Sequence, residues 1–384
     1  MTTWIKVILV NLVVIAGLLL ALEGGVRFTL PHINPQHGNA SLLAADRFAG
    51  SYGYKPNARG LEWGVEMVTD EHGFRIDPNF MPANAHRTML VVGDSVSVGL
   101  GVAAGDTYSS RLQQAWPDVR ILNASVTGYD LADYANVLEA VLPTQPVEGI
   151  ILGLCLNDVI GTSQANILSV LSKQADQSPS QDLSPNTGQE ANHQQSEAQR
   201  PPQMRPIEVS RDRYPNPIVW TLRYLNDNYF NFNETLKRHS RTYLWLKSLA
   251  TDTSRDYFQA DALAYRDEAT MATAAQALAR VKRVAEQHHV WLVAFILPYE
   301  YQLRRPTPEQ HFPQRQFLDA TRQAGIPTYD LLEDLWEALD RREGGSTGLY
   351  LFNDPMHFSA EGHRLVAKLI REKLHERGLI SDVI

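Results

Sequence analysis

The sequence is poor in cysteine and has no excess of positive charge. Its single cysteine, Cys155, cannot form a disulfide within the chain, and no group of cysteines and histidines has the spacing of a zinc site. The 35 lysines and arginines are outnumbered by 43 aspartates and glutamates, which gives a formal net charge of -8. Proteins bind the nucleic-acid backbone by neutralising its phosphates with Lys and Arg. We therefore expect no nucleic-acid partner and no metal.

The chain also lacks internal repeats, but it is rich in apolar residues. These make up 44% of its 384 residues, which is enough for a buried core in one large or two small domains. Residues 173–206 are an exception, because Gln, Ser, Pro, Asn and charged residues dominate there. Such a segment buries too little to offset its ordering entropy, and it predicts a disordered insertion.

One apolar run lies close to the amino terminus. From Val7 to Leu22 it is interrupted only by Asn11, with Lys6 before it. As a helix the run covers about 24 Å, and the residues before it extend the span towards the roughly 30 Å of the bilayer hydrocarbon core. We interpret residues 1–30 as a membrane anchor. The alternative is a cleaved signal peptide, which the poor small-x-small site after the run disfavours.

The remainder of the chain changes character at Thr88. Residues 31–86 show no sustained period and predict an irregular lead-in. Beyond them, short apolar runs predict strands at 88–93, 119–123, 149–155, 290–297 and, more weakly, 326–330. Amphipathic helices are predicted between and after these strands, with Asp106 as the cap of the first and Ser359 as the cap of the last.

Alternating strands and helices predict a parallel sheet with helices on both faces. We therefore expect an α/β fold over residues 87–384, a three-layer α/β/α flavodoxin-like sandwich with about five strands. Apolar residues at helical spacing also predict a helical insertion at about 216–250, which either packs on the body or acts as a lid or acceptor surface.

Two short motifs contain a candidate nucleophile and its candidate base. GlyAspSer at 93–95 follows the first buried strand directly, which puts Ser95 at the carboxyl edge of the sheet. A serine hydroxyl needs a neighbouring base before it becomes a good nucleophile. His357 can be that base, since AspProMetHis places Asp354 three residues before it, where a carboxylate can orient the imidazole.

Acyl transfer also needs donors for the oxyanion that develops on the substrate. AsnAlaSerValThrGlyTyr (123–129) follows the second strand, where Gly128 can present its backbone N–H. LeuAsnAsp (156–158) follows the third, where Asn157 can offer its side-chain amide. The N–H of Ser95 is the third candidate. An ordinary turn glycine and a helix cap are the alternative interpretations of Gly128 and Asn157.

The order of these motifs resembles that of the SGNH/GDSL hydrolases over roughly residues 86–376. The resemblance implies that Ser95 is the nucleophile, His357 the base and Asp354 its orienting carboxylate, with Ser95, Gly128 and Asn157 as oxyanion donors. The apolar amino terminus followed by GluGlyGlyValArg, and HisGlyPheArg at 72–75, resemble membrane-tethered bacterial members.

Two departures from the family pattern occur at positions that supply no catalytic group. Cys155 stands where a glycine is usual before Asn157, and Ser125 where a glycine is common in the second block. We interpret Cys155 as a buried thiol at a strand end, since no second histidine motif accompanies it.

Other enzyme classes fit less well. GlyLeuGlyValAlaAla (99–104) fits GxGxxA, but its first glycine lies too far beyond the strand for a dinucleotide site, and no acidic residue ends the second strand. We therefore expect no cofactor. Ser95 also lacks the GxSxG context of an α/β-hydrolase.

The sequence thus predicts a serine esterase or deacylase that acts on an acyl ester of a cell-envelope glycan or lipid. The positive charges of Lys6 and the amino terminus favour a cytoplasmic location for the start of the anchor. We therefore expect a single-pass protein of the bacterial inner membrane with a periplasmic or extracellular catalytic domain. An O-acyltransferase that moves an acyl group to a polysaccharide uses the same residues, and an inactive assembly or binding protein with this fold is a further alternative. The oligomeric state, the acyl length and the acceptor stay open.

Overall fold

A computed structural model describes residues 3–34, 38–80, 82, 85–161, 232–304, 307–340 and 345–380. Elements are numbered along these residues. The helices are α1 (Thr3–Thr29), α2 (Ser95–Val98), α3 (Tyr108–Ala115), α4 (Leu131–Val141), α5 (Phe232–His239), α6 (Arg241–Ala250), α7 (Thr253–Ala262), α8 (Glu268–Gln287), α9 (Glu300–Arg304), α10 (Phe312–Gln323), α11 (Leu332–Asp340) and α12 (Ala360–Glu376). The strands are β1 (Leu43–Phe48), β2 (Ser51–Tyr54), β3 (Arg59–Glu62), β4 (Val65–Val68), β5 (Arg87–Val92), β6 (Val119–Asn123), β7 (Gly149–Cys155), β8 (Trp291–Leu297) and β9 (Thr328–Asp330).

Five of the strands form one parallel sheet in the order β6-β5-β7-β8-β9. This is the flavodoxin-like order 2-1-3-4-5, in which the direction of winding reverses between β5 and β7. Strand β7 is buried at every residue, because it lies inside the sheet and is covered on both faces. The five predicted strands are confirmed, each within two residues of the predicted bounds.

Helices cover both faces of the sheet. On one face α8 packs against α4 and α10, and on the other α12 packs against α3 and α11. The three-layer α/β/α sandwich expected from the sequence is therefore confirmed. Helix α12 begins at the predicted cap, since the Ser359 hydroxyl accepts from the N–H of Gly362. Asp106 was the wrong cap for α3: Thr107 caps it, and Asp106 pairs with Arg111 instead.

The segment between the amino-terminal helix and the sheet differs from the irregular lead-in expected for 31–86. It contains two antiparallel hairpins, β1–β2 and β3–β4. The four strands are short, and their residues do not alternate cleanly between buried and exposed. A period-two pattern therefore does not show in the sequence.

Helix α1 is long and apolar enough to cross a membrane, and its side chains from Trp4 to Leu22 are exposed. Its last turns are attached to α6. The Glu23 carboxylate accepts hydrogen bonds from the N–H groups of Arg241 and Thr242 and from the Ser240 hydroxyl, at 3.0, 3.0 and 2.9 Å. A carboxylate at a helix amino terminus is favourable, because it satisfies free N–H groups and complements the helix dipole.

A small apolar cluster strengthens this attachment. Val26, Ile33 and Leu244 are buried together, and Phe352 packs against them from the loop that precedes α12. Within the predicted helical insertion at 216–250, residues 232–250 form α5 and α6. The rest of that insertion and the predicted disordered insertion at 173–206 lie outside the described residues.

Candidate active site

The carboxyl end of β5 carries the serine motif. Asp94 caps α2 by accepting the N–H of Val96 at 2.9 Å, and Ser95 is the first residue of this short helix. Gly93 has no space for a side chain, since a Cβ there would lie 2.8 Å from the carbonyl oxygen of Gly153. The tight turn from strand to helix thus places the Ser95 hydroxyl at the edge of the sheet, at the topological switch point.

Three predicted residues meet at this edge. His357 Nε2 lies 2.8 Å from Ser95 Oγ, and His357 Nδ1 lies 2.9 and 3.0 Å from the two carboxylate oxygens of Asp354. All three side chains are buried. Burial alone lowers the pKa of His357, but the charge and hydrogen bond of Asp354, with the charge of Asp94, outweigh it, and the net pKa is raised. The imidazole is therefore held where it can accept a proton from Ser95.

The loop before α12 fixes Asp354 and His357 relative to each other. Asp354 Oδ1 accepts the N–H groups of Met356 and His357 at 2.9 and 2.7 Å, in addition to the imidazole. The carbonyl of His357 in turn accepts the N–H of Leu351. The spacing AspProMetHis thus closes a turn that holds the carboxylate against both the backbone and the ring of the same histidine.

The predicted oxyanion donors lie on the loops that flank Ser95. The β6 loop is hydrogen-bonded to the serine loop, since the N–H of Val126 donates to the carbonyl of Gly93. Gly128 follows with a φ of +76°, a backbone conformation that favours glycine. Within the described part of the chain, the N–H groups of Ser95 and Gly128 donate no hydrogen bond. Both are therefore available to a bound oxygen.

Asn157 belongs to a polar network that the sequence did not predict. Its side-chain amide lies 3.3 Å from Asp94 Oδ2, and its amide oxygen lies 3.5 Å from the Tyr299 hydroxyl. Tyr299 is hydrogen-bonded at 2.5 Å to Asp261. The contact with Asp94 links Asn157 to the turn that carries Ser95.

Two further buried groups at this edge are not placed to act as nucleophiles. Cys155 is a buried free thiol, as expected, and burial with the nearby charges of Asp94 and Asp158 raises its pKa well above the usual value. Asp158 is also buried, which raises the pKa of its carboxyl, and it accepts the N–H of Cys155 at 2.8 Å. The buried Cys155 thiol and the Asp158 carboxyl thus stabilise the carboxyl end of β7.

Arg75, from the HisGlyPheArg segment, holds the loop that follows α2. It is buried, and its guanidinium donates to the carbonyl oxygens of Val98, Gly99 and Val102 at 2.7, 2.6 and 2.6 Å. Its backbone also pairs with Asn123 at the end of β6. The sequence pointed to this segment by family resemblance alone; the structure gives it a supporting role behind the serine turn.

A cavity of about 780 Å³ lies beside the Asp354 loop. Its walls include Gly101, Ser248, Arg304, Tyr350 and Asp354, but neither Ser95 nor His357. The cavity therefore adjoins Asp354, the carboxylate that is hydrogen-bonded to His357.

Comparisons with known proteins gave structural matches only. No family model and no curated protein matches the sequence. Among solved structures, a G-D-S-L family lipolytic protein from Veillonella parvula aligns at 11% identity over 74% of this chain and 97% of its own, with a TM-score of 0.37. A lipase/acylhydrolase from Enterococcus faecalis aligns at 11% identity over 78% of this chain and 99% of its own, also at 0.37.

A third match is the psychrotrophic esterase EstA from Pseudoalteromonas, at 10% identity over 77% of this chain and all 100% of its own, with a TM-score of 0.37. At such identities and TM-scores, the function has to be argued from the geometry of the site.

Proposed function

We propose that this protein is a serine esterase of the SGNH/GDSL type that works through a Ser-His-Asp triad and an acyl-enzyme. One observation carries the proposal: Ser95 Oγ lies 2.8 Å from His357 Nε2, while Asp354 holds Nδ1 of the same ring at 2.9 Å. A nucleophile within hydrogen-bond reach of a base, itself oriented by a carboxylate, is the arrangement that nucleophilic acyl transfer requires.

In the first half of the reaction, Ser95 Oγ attacks the ester carbonyl carbon while its proton passes to His357 Nε2. Asp354 keeps the other ring proton on Nδ1 and stabilises the imidazolium. The tetrahedral intermediate then collapses, the carbon–oxygen bond to the alcohol breaks, and the alcohol leaves with the proton from His357. The acyl group stays on Ser95.

In the second half, a water molecule gives a proton to His357 Nε2 and attacks the acyl carbon. The bond to Ser95 breaks, the serine regains its proton, and the free acid leaves. In both tetrahedral intermediates the negative oxygen is assigned to three donors: the N–H groups of Ser95 and Gly128 and the side-chain amide of Asn157. The free N–H groups of Ser95 and Gly128 support this assignment.

We assign the reaction to the cell envelope, outside the inner membrane, with an acyl ester of an envelope glycan or lipid as substrate. Helix α1 has 27 residues, or about 40 Å at 1.5 Å per residue, against a hydrocarbon core of roughly 30 Å. The exposed apolar side chains between Trp4 and Leu22 support a lipid environment for this helix. Lys6 at the amino-terminal end supports a cytoplasmic start.

The nucleophile is tested with a fluorophosphonate probe on the full chain in detergent. We expect the wild type to be labelled and Ser95→Ala to be unlabelled with an unchanged circular dichroism spectrum. Labelling of Ser95→Ala would refute the assignment. Nitrophenyl esters of rising acyl length, with and without candidate glycans, then define the substrate, and acyl groups recovered on the glycan would show transfer in place of hydrolysis.

The location is tested with a reporter. Alkaline phosphatase fused after Leu30 should be active, because that junction lies beyond the membrane in the proposed orientation. A fusion at the same junction that works only with a cytoplasmic reporter would refute the envelope assignment and the substrate class that depends on it.

A further inference from the structure

The turn between β3 and β4 breaks a local rule of hairpin formation. Glu62 pairs with Val65, so the loop between them has two residues, Trp63 and Gly64, with φ angles of +49° and +77°. Two positive φ angles define the type I′ class of two-residue turns, for which Asn-Gly is strongly preferred. Gly64 fits this rule. Trp63 does not, because a bulky side chain with positive φ is strained.

The rest of the hairpin is fixed firmly enough to keep Trp63 in this conformation. Glu62 is buried and accepts the Tyr54 hydroxyl at 2.9 Å, and Asn39 donates its side-chain amide to the carbonyl of Leu61 at 3.0 Å. At the other end of the hairpin, Thr69 pairs with Arg75, whose backbone pairs with the end of β6. The turn is thus held at a fixed place relative to the active-site edge of the sheet.

At that place the Trp63 ring touches His357. The ring centroids lie 4.7 Å apart, with an angle of 55° between the planes. The imidazole therefore has contacts from three directions: Asp354 on Nδ1, Ser95 on Nε2 and Trp63 against the ring itself. The two hydrogen bonds fix where the nitrogens point, and the indole restricts rotation and tilt of the ring out of that arrangement.

We propose that Trp63 is a positioning residue for His357, held by the β3–β4 hairpin against the imidazole so that the ring stays aligned with Ser95 and its protonated form is stabilised. This inference rests on the proposed esterase mechanism, in which His357 becomes an imidazolium in each half-reaction. An aromatic ring within about 6 Å of a cation attracts it, and Trp does so best. Strain retained at a turn next to the base fits a functional role for the residue there.

The test compares Trp63→Asn with Trp63→Phe in the full chain in detergent. Trp63→Asn creates the dipeptide that a type I′ turn prefers, so the hairpin keeps its turn while the aromatic ring is lost. Trp63→Phe keeps an aromatic ring beside His357. Trp336→Ala is the matched control, because Trp336 is exposed on α11. The readout is the rate of fluorophosphonate labelling of Ser95 and of ester turnover, each measured as a function of pH.

We expect Trp63→Asn to lower both rates by about 3- to 30-fold, the range of a cation–aromatic contact. We also expect the pH midpoint of the labelling rate to fall by about 0.5 to 1 unit, since the imidazolium loses a stabilising contact. The loss should appear in kcat more than in KM. Trp63→Phe should recover most of the rate, and Trp336→Ala should match the wild type at every pH.

Wild-type rates and an unchanged pH midpoint in Trp63→Asn would overturn the proposal. Equal losses in Trp63→Asn and Trp63→Phe with an unchanged midpoint would also overturn it, because they would indicate a packing effect alone. Failure of the esterase assignment looks different, since Ser95 in the wild type would then not be labelled at all.

Discussion

The buried carboxyl of Glu62 gives a stability prediction whose size follows from its pKa. Glu62 is only 1% exposed. Burial raises its pKa to about 7, although the Tyr54 hydroxyl, the charge of Arg75 and the N–H of Asn39 each act to lower it. The folded protein therefore keeps this proton at pH values where the unfolded chain, with an ordinary value of 4.5, has lost it.

Between these two pKa values the folded state binds more protons than the unfolded state, so the free energy of unfolding falls as the pH rises. The stabilising contribution is complete below about pH 4.5 and is lost as the pH passes through about 7. A difference of about 2.5 units corresponds to ~3 kcal/mol. The side-chain amide in Glu62→Gln does not titrate. We therefore expect the free energy of unfolding of this variant, relative to that of the wild type, to rise by this amount between pH 4.5 and 8.

Thermal unfolding in detergent at a series of pH values measures this effect. For a body of this size, ~3 kcal/mol corresponds to roughly 6 °C in melting temperature. Glu66→Gln is the matched control, because Glu66 lies on the same hairpin but is half exposed and paired with Arg59 on the surface. Parallel curves of melting temperature against pH for the wild type and Glu62→Gln would show that the carboxyl is not held neutral, and the reasoning would fail.

Three further predictions concern the site. His357→Ala should lose nearly all turnover of a nitrophenyl ester and Asp354→Ala somewhat less, since the carboxylate only orients and stabilises the ring; a larger loss in Asp354→Ala would contradict these roles. Asn157→Ala should lower kcat by about 10²- to 10³-fold at an unchanged melting temperature, and full activity would remove Asn157 from the oxyanion donors. Arg75→Lys should lower both melting temperature and turnover, because one ammonium cannot reach all three carbonyl oxygens that the guanidinium holds. Wild-type melting and turnover in Arg75→Lys would show that these contacts are dispensable.

The central sheet could be predicted from the sequence because each of its strands is a short apolar run between turn residues. Strands β5 and β7 show this most clearly, since both are buried on two faces and need no alternation to be recognised. The β1–β4 hairpins could not be predicted in this way. Trp63-Gly64 is not a dipeptide that signals a type I′ turn, so the one short-range cue for the β3–β4 hairpin is missing.

The residues of the candidate site were predictable where they follow strands of the central sheet and not where they come from other segments. Ser95, Gly128 and Asn157 follow strands of one parallel sheet, and topology brings the ends of such strands to one edge. Trp63 reaches that edge from a segment outside the sheet, through packing that no local pattern encodes. Asp94 is part of the GlyAspSer motif, but its contact with Asn157 could not be predicted, because Asn157 follows a different strand.

If α1 spans the bilayer as proposed, its attachment to α6 limits the heights above the membrane at which Ser95 can meet a substrate. A catalytic body on a flexible tether would sample every height above the bilayer that its linker allows. Here Glu23 is hydrogen-bonded to the first turn of α6. Val26 belongs to the apolar cluster against which Phe352 packs, in the loop that also carries Asp354. With α1 in the bilayer, these contacts would hold the proposed active site at nearly constant height and orientation. Its substrates would then be selected by the distance of their ester groups from the membrane as much as by their chemistry.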